Sequence, residues 1–240
     1  MQGEASSTQP IIEMYDLAGE DDDRRISPFC WRIRLALAHK GLAVRTIPWR
    51  LTEKDAIRGY GATTVPVIVD GGKAVSDSWD IALYLDEKYP ANPLFEGPQA
   101  RAYALWFHHW TERCLHPLIV PIILEDVLSH LHAKDLEFFR ATREQALRKP
   151  LELVMDRSFD AFERIEKALS PARCTLAQNP FLAGTAPAFA DYILFGAFQW
   201  ARCCSGQKLL RRRADPVSAW LNRMFDLYGG LARKAKGYAV

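Results

Sequence analysis

Apolar and polar positions divide the chain into two regions with different periodicities. Short apolar runs at 11–17, 42–49 and 65–70 predict β-strands, because runs of this length between turn residues are typical of buried strands. A Gly-Gly turn and a further short strand follow the third run. Segments with the spacing of apolar residues typical of helices lie between and after these runs, so the order of elements up to Tyr89 is β-α-β-α-β-β-α. This order predicts a mixed sheet covered by helices.

Two helices in this region have clear start signals. Ser27 is a preferred N-cap, Pro28 suits the first helical position, and Gly41 suits the C-terminal cap. Ser78 is expected to cap a second helix that ends at Tyr89, just before a proline. Both predicted helices therefore begin directly after a loop or a strand.

The strand pattern stops after Pro98, beyond a segment rich in proline and glycine that predicts a linker. The helices predicted from there on are 99–130, 135–169, 188–204 and 214–228. We therefore expect a disordered lead at 1–9, an α/β domain at 10–92 and an all-helical domain at 99–240.

Composition narrows the class of protein. The 240 residues are 49% hydrophobic and 25% charged, which is ordinary for a globular protein. The formal net charge of +2 is too small to predict nucleic-acid binding. No apolar run approaches the ~20 residues that span a bilayer, and the N-terminus lacks the pattern of a signal peptide. We expect a cytoplasmic protein without a membrane partner.

The cysteines and histidines predict no metal site. The five cysteines are scattered and have no metal-ligand spacing, which favours a reducing compartment. His108 and His109 are adjacent, and neighbours on a helix point about 100° apart, so we expect them not to share a metal.

The first candidate for chemistry is Ser27. The first turn of a helix has free backbone N–H groups and a positive dipole end, which stabilise an anion. If the ligand is a thiol, the Ser27 hydroxyl can donate a hydrogen bond to its thiolate; the alternative is that Ser27 only caps the helix. Cys30 is either a redox thiol or a buried packing residue, and we favour packing.

Two further pairs lie at strand and helix ends. Val65-Pro66 is a candidate cis peptide that would leave the Val65 backbone free to pair with a peptide-like ligand, and a trans proline at a strand start is equally compatible. Asp77-Ser78 lies at the start of a predicted helix, and a helix N-terminus stabilises a ligand carboxylate. Asp77 can pair with an ammonium group, so a ligand that carries both groups on one carbon would fit. Helix capping alone is the alternative.

The sequence resembles the cytosolic glutathione transferases over nearly the whole chain, and three segments carry the resemblance. They are SPFCWR, TTVPVIVDGGKAVSDSWDIALYLDEKYP and NPFLAGTAPAFADYILF. The chain is most similar to the fungal-specific, etherase-related class, in its type with a serine in the catalytic position. The resemblance implies a thioredoxin-like N-terminal domain, an all-α C-terminal domain and, as in relatives, a homodimer.

The resemblance also implies roles for individual residues. It implies a catalytic Ser27 with glutathione as the co-substrate. The implied glutathione-binding positions are Val65, Pro66, Asp77 and Ser78, with Lys54 preferred over Arg50 for the glycine carboxylate. Two positions depart from the family pattern: Asp77 stands where Glu is commoner, and Ala188 stands where a capping Ser or Thr is usual. Ala188 leaves only one of the two reciprocal bonds of a capping box with Asp191.

Aromatic residues are candidates for a hydrophobic substrate site between the domains. Tyr15 is a minor candidate for the catalytic role and otherwise packs or lines this site. The other candidates are Phe29, Trp31, Tyr103, Trp106, Phe107, His109 and Trp110. Any one of them can instead be core packing, but as a group they favour flat aromatic ligands.

The resulting hypothesis is an enzyme of detoxification that activates glutathione as a thiolate. The thiolate would attack a hydrophobic, aromatic electrophile or a peroxide, in conjugation, peroxidase or ether-cleaving reactions. The alternatives are a non-catalytic carrier (ligandin) of aromatic natural products such as polyphenols, and an interaction protein that has kept only the fold.

Overall fold

The computed structural model describes residues 11–211 and 214–239, so the predicted lead at 1–9 lies outside the described residues. Four strands form one mixed sheet in the order β2-β1-β3-β4. β1 pairs parallel with β2 and antiparallel with β3, and β4 pairs antiparallel with β3. The strands are β1 Ile12–Leu17, β2 Val44–Trp49, β3 Val67–Asp70 and β4 Lys73–Ser76.

Helices cover this sheet and form the whole of the second region. Those of the sheet region are α1 Pro28–His39, α2 Asp55–Arg58 and α3 Ser78–Lys88. Those of the helical region are α4 Gly97–Trp110, α5 His116–His130, α6 Leu136–Leu147, α7 Phe159–Ala168, α8 Ser170–Leu176, α9 Phe189–Cys204 and α10 Pro216–Lys234. The fold is therefore the predicted α/β thioredoxin-like domain followed by an all-helical domain. Within the described ranges, no helix combines the length and the apolar character needed to cross a membrane.

The two helix starts of the sheet region differ from each other. Ser27 caps α1 as predicted, because its Oγ accepts a hydrogen bond from Cys30 N at 3.2 Å. The prediction of Ser78 as the cap of α3 was wrong. Asp77 caps this helix, since its Oδ1 accepts from the backbone N–H groups of Trp79 and Asp80 at 2.7 and 3.3 Å. Ser78 is the first helical residue instead.

The helical region is more segmented than its periodicity predicted. A π-helical turn at Thr111–Leu115 joins α4 to α5, so the predicted helix at 99–130 changes its winding midway. The predicted helix at 135–169 was wrong, because Arg148 has a left-handed backbone with φ of 55° and ends α6. Ser158 then caps a new helix, and α8 at 170–176 was not predicted.

The start of α9 has the half-formed cap expected from its sequence. Ala188 has no side-chain acceptor, whereas Asp191 accepts from Ala188 N at 3.1 Å. The buried Asp191 carboxylate also accepts from Leu182 N and from Trp220 Nε1, each at 2.8 Å. These extra donors anchor α9 to α10 and to the preceding loop.

The two domains come into backbone contact where α9 crosses the first turn of α1. A Cβ atom at Gly196 would lie 2.5 Å from the Pro28 carbonyl oxygen, closer than real Cβ contacts. Glycine is therefore required by space at this position. The crossing sets where the N-terminal turn of α1, which carries Ser27, stands relative to the helical domain.

We expect Gly196→Ala to lower the free energy of unfolding by about 3 kcal/mol, the upper end for overpacking, because the added methyl meets backbone. Gly59→Ala is the matched control, since Gly59 has φ of −61° and nothing within 4 Å of its Cβ position. Denaturant unfolding followed by circular dichroism measures both. Equal stability of the two variants would contradict the tight crossing.

Candidate functional site

A cleft of about 540 Å³ lies between the sheet region and the helical region. Three separated segments of the sheet region meet at it: the start of α1, the turn before β3 and the start of α3. Helices α4, α5, α6 and α9 and the π-helical turn supply the other side. The predicted site residues that line the cleft are Ser27, Phe29, Lys54, Val65, Pro66, Asp77 and Ser78.

The residues at the proline turn and the start of α3 have the following geometry. The Val65-Pro66 peptide bond is cis, which is one of the two alternatives that the sequence left open. Asp77 is exposed, and its Oδ1 takes both helix-cap bonds. Its other carboxylate oxygen therefore remains available for a ligand cation in the cleft.

Ser27 is almost fully buried at the cleft, with 4% of its surface exposed. A hydroxyl that accepts a hydrogen bond keeps its own O–H as a donor, so Ser27 can serve as a helix cap and as a donor to a ligand. Burial, with the nearby Asp16 carboxylate, raises the pKa of the Cys30 thiol well above its usual range. This supports the interpretation of Cys30 as a packing residue.

A charged cluster at the cleft floor was missed by the sequence analysis. Arg32 is fully buried, and its Nη1 lies 2.8 Å from His108 Nδ1, 3.2 Å from Glu112 Oε1 and 3.5 Å from Ser78 Oγ. Burial lowers the pKa of Arg32 to about 10, although Glu112 opposes this shift. An arginine on the apolar face of α1 was the signal that could have revealed the cluster.

The same cluster bears on metal binding. Side-chain ligand atoms of His108, His109 and Glu112 lie within 4.8 Å of one another, so the adjacent histidines do approach a common point, contrary to expectation. The Arg32 guanidinium, however, donates to His108 Nδ1. A positive charge at this distance repels a metal cation.

Two cations stand at another part of the cleft lining. Lys54 Nζ donates to Thr63 O at 2.7 Å, and burial together with the nearby Arg143 lowers the pKa of Lys54. Arg143, from α6, stands at the solvent-exposed rim with its guanidinium 5.0 Å from the centre of the Phe139 ring. Within the part of the chain that the structure describes, neither cation has a carboxylate at salt-bridge distance. This pair suits an anionic ligand group, and sequence reasoning did not identify Arg143.

The structure corrects the prediction for Arg50. Its Nη2 lies 2.6 Å from Asp22 Oδ1 and 3.2 Å from Glu20 O, in the loop after β1. Arg50 therefore neutralises a surface carboxylate and does not line the cleft.

The predictions for Tyr15 and Trp31 also need correction. Trp31 is fully buried, and its Nε1 donates to Arg25 O at 2.9 Å, because the helical spacing turns it into the core. Tyr15 packs against Tyr60 at a ring separation of 5.7 Å, outside the cleft. A hydrogen bond with Tyr60, with burial adding, raises the pKa of Tyr15 to about 12, which does not suit an activating group.

The aromatic residues predicted from α4 do not line the cleft. From the α4–π-turn segment only His108 and Glu112, four residues apart and so on one face of the helix, are among the lining residues of the cleft. Phe107 is buried between stacked rings, and Trp106 is 60% exposed. The predicted residues that are absent from the described lining of the cleft are Tyr103, Trp106, Phe107, His109 and Trp110.

The apolar wall of the cleft comes instead from α5, α6, α9 and the start of α1. Phe29 and Trp200 contribute aromatic rings, and His116 stands between them. The aliphatic and aromatic residues behind them are Val120, Ile123, Leu124, Val127, Leu131, Phe139 and Leu147. The long apolar stretch of α5 was the available signal, but its sequence alone did not separate core positions from cleft positions.

The architecture defines a two-domain protein whose thioredoxin-like domain and helical domain share a ligand cleft. Residues 26–88 match the family model for the glutathione S-transferase N-terminal domain, and residues 102–226 match that for the C-terminal domain. The chain belongs to the glutathione S-transferase family.

Curated relatives match over limited segments. Glutathione S-transferase Z1 of Arabidopsis thaliana is 46% identical over 70 residues, covering 26% of this chain and 31% of the relative. The glutathione S-transferase-like protein ustS of Aspergillus flavus is 31% identical over 146 residues, covering 53% of this chain and 50% of the relative. The chain thus spans about a third to a half of the length of these relatives in the matched segments.

Solved structures match over almost the whole chain. Glutathione transferase GSTFuA3 from Phanerochaete chrysosporium has a TM-score of 0.75 at 27% identity, with 93% of each chain covered. The glutathione S-transferase CsGST63524 of Ceriporiopsis subvermispora, solved in complex with glutathione, has a TM-score of 0.74 at 26% identity, with 94% of each chain covered.

We expect Glu112→Gln to lower the free energy of unfolding by about 2 kcal/mol. The change removes the carboxylate that compensates the charge of the buried Arg32. Breaking a fully buried ion pair would lower stability by more than this, but the Glu112 side chain is 29% exposed, so solvent screens part of the loss. Glu137→Gln, an exposed position on α6, is the matched control and should change stability little. If both variants unfold at the same denaturant concentration, Glu112 does not compensate Arg32.

Proposed function

We propose that this protein is a glutathione transferase that holds the sulfur of glutathione as a thiolate at Ser27. The observation that carries the proposal is the position of the Ser27 hydroxyl: at the first turn of α1, opening on a cleft that Val65, Asp77 and Ser78 also line. The similar Ceriporiopsis protein, whose structure contains glutathione, supports the choice of ligand.

The start of α1 supplies the chemistry that a thiolate needs. Free N–H groups and the positive helix end favour negative charge, and a hydroxyl donor adds a hydrogen bond to the ionised form alone. Interactions of this kind lower the pKa of a thiol. The bound thiol of glutathione is therefore converted to its nucleophilic form near neutral pH.

The two ends of the tripeptide have matching partners along the cleft. Asp77 would accept from the γ-glutamyl ammonium, and Ser78 with the start of α3 would hold the neighbouring carboxylate. The backbone of Val65 would pair with the cysteinyl backbone. At the glycine end, Lys54 and Arg143 supply positive charge without a competing carboxylate among the described residues.

The apolar wall supports a hydrophobic second substrate. The glutathione thiolate would attack an electrophilic carbon, the new C–S bond would form, and the leaving group would depart with the bonding electron pair. Peroxide reduction and cleavage of an activated aryl ether use the same nucleophile.

Similarity to the Phanerochaete and Ceriporiopsis proteins supports placement in the fungal-specific, etherase-related class. The family resemblance supports a cytoplasmic homodimer that acts in detoxification.

A carrier of aromatic compounds is the second candidate function. The observation that favours it is the extent of the apolar wall within the cleft of about 540 Å³, which suits a bulky ligand. A carrier would bind an aromatic compound tightly and release it unchanged after incubation with glutathione. Mass spectrometry of the recovered ligand separates this function from turnover.

We expect Ser27→Ala to reduce kcat/KM by about 10²-fold on any electrophile that the wild type accepts, the scale of losing one oriented donor. The apparent pKa in the pH–rate profile should rise by about 1–2 units, because a hydrogen bond to a charged group is lost. Activity is measured with an isothiocyanate, a hydroperoxide and an aryl ether at saturating glutathione.

Ser158→Ala is the control for this experiment. Ser158 caps α7 by accepting from Ala161 N at 3.3 Å, so the variant loses an equivalent cap away from the cleft and should keep full activity. Unchanged turnover and pKa in Ser27→Ala would refute the thiolate role. No turnover by the wild type on any of the three electrophiles would favour the carrier.

We expect Arg143→Gln to raise the KM for glutathione by about 10-fold with little change in kcat, because one charge-assisted contact to the glycine carboxylate is lost. Glutathione ethyl ester, which lacks that negative charge, should bind wild type and variant alike. Arg140→Gln is the matched control on the same helix, since Arg140 pairs with Glu144 and Glu152. Equal KM values for glutathione in Arg143→Gln and the wild type would exclude this contact.

A further inference from the structure

The apolar wall of the cleft contains a polar side chain, that of His116, which lies between two aromatic rings. His116 is the first residue of α5 and directly follows the π-helical turn at Thr111–Leu115. Extra-residue turns of this kind shift the face that a helix presents and are frequent at functional sites. Here the turn comes just before the point at which the imidazole joins the cleft lining.

Two aromatic rings hold the imidazole in place. The Phe29 ring lies 5.7 Å from it at 86°, and the Trp200 ring lies 5.6 Å from it at 69°. Edge-to-face contacts of this kind fix ring orientation as well as position. The His116 ring is therefore a rigid part of the wall, contributed jointly by α1, α5 and α9.

The Nε2 atom of His116 has no hydrogen-bond partner among the described residues, although the residue is only 9% exposed. A buried polar atom without a partner is unfavourable, and most such atoms in folded proteins are satisfied. The neighbouring positions of α5 that line the cleft, Val120, Ile123 and Leu124, are apolar and offer no side-chain partner. A group on a bound ligand can supply the missing partner.

The charge state of His116 limits what that group can be. Burial, with Arg32 and His108 adding, lowers the pKa of His116 to about 3, so the ring is neutral at physiological pH. A neutral Nε2 either donates or accepts one hydrogen bond, depending on the tautomer. A hydroxyl group both donates and accepts, so it satisfies either tautomer, whereas a carboxylate gains no ion pair here.

We propose that His116 is a specificity-determining residue for the second substrate, and that it selects aromatic ligands carrying a hydroxyl group by hydrogen-bonding that group through Nε2. The aromatic body of the ligand would pack against Phe29 and Trp200, and its hydroxyl group would pair with Nε2, the only buried side-chain nitrogen or oxygen without a partner among the described residues that line the cleft. As a statement about the second substrate, the inference rests on the proposed function.

The test compares 2-naphthol with naphthalene, which share one aromatic body and differ by one hydroxyl group. Their dissociation constants are measured on the full chain with glutathione present, by competition against a fluorescent apolar probe. We expect His116→Phe to weaken 2-naphthol about 10-fold while leaving naphthalene within about 2-fold, since one hydrogen bond is lost and the apolar contacts remain. His116→Gln, which keeps a polar end group, should retain most of the discrimination.

Two controls separate the hydrogen bond from general damage. His130→Phe replaces a histidine at the opposite end of the same helix, whose Nε2 pairs with Tyr238 and which is not part of the cleft lining; it should bind both ligands as the wild type does. Phe29→Leu should weaken both ligands equally, because it removes aromatic contact from the wall. Thermal unfolding of each variant reports whether the fold is kept.

The outcomes distinguish this inference from the proposed enzyme activity. Unchanged discrimination in a folded His116→Phe would overturn the inference, and full transferase activity in that same variant would show that the enzyme proposal survives it. Lost discrimination in a protein that turns over no electrophile would support the inference, with the protein acting as a carrier. Equal weakening of both ligands by His116→Phe would also overturn it, since the ring would then act by shape alone.

Discussion

The crossing of α9 over the first turn of α1 is the contact on which the rest of the site depends. Because Gly196 brings the α9 backbone to within contact of the Pro28 carbonyl, no side chain separates the helical domain from the turn that carries Ser27. The distance between Ser27 and the wall of α5 and α9 is therefore set by two backbones in contact. Backbone contacts are less adaptable than side-chain packing, so the geometry of the cleft is determined where the domains meet.

Contacts of α1 with α4, the π-helical turn and α3 explain why a guanidinium is tolerated in the core. Arg32 lies one turn beyond Pro28 on α1, at the floor of the cleft, and desolvation of its charge is unfavourable. His108 and Glu112, from the helical side, supply an acceptor and a countercharge, and Ser78 supplies a weaker contact from α3. The cluster therefore joins α1, α3 and the helical domain through the Nη1 atom of Arg32. We interpret it as a positioning element beneath the residues proposed to bind glutathione.

The sheet region and Ser27 could be predicted because their signals are local. A cap, a proline at the first helical position and a glycine at the end lie within one helix, and strand runs are bounded by turn residues. The apolar wall of the cleft could not be predicted in this way. The choice between core, cleft and surface for Trp31, Trp106 and His116 depends on the register of α4 and α5 across the π-helical turn, and single-sequence periodicity does not contain that turn. Arg143 was not predicted as a site residue because Lys54, the other cation of the cleft lining, is remote from it in sequence.

The distribution of charge along the cleft differs between its two ends. Among the described residues, Lys54 and Arg143 have no carboxylate at salt-bridge distance, at the end of the cleft where the glycine carboxylate is proposed to lie, whereas the wall at His116 is neutral. Arg32 contributes to that neutrality, since its charge helps to keep a proton off His116. An anionic aromatic compound would be drawn toward the Lys54 end and would compete with glutathione there, while a neutral hydroxylated one can occupy the wall beside bound glutathione. Under the proposed function, the cleft would thus separate its two ligands by charge as well as by shape, and this separation would allow a thiolate and a hydrophobic electrophile to be bound at the same time.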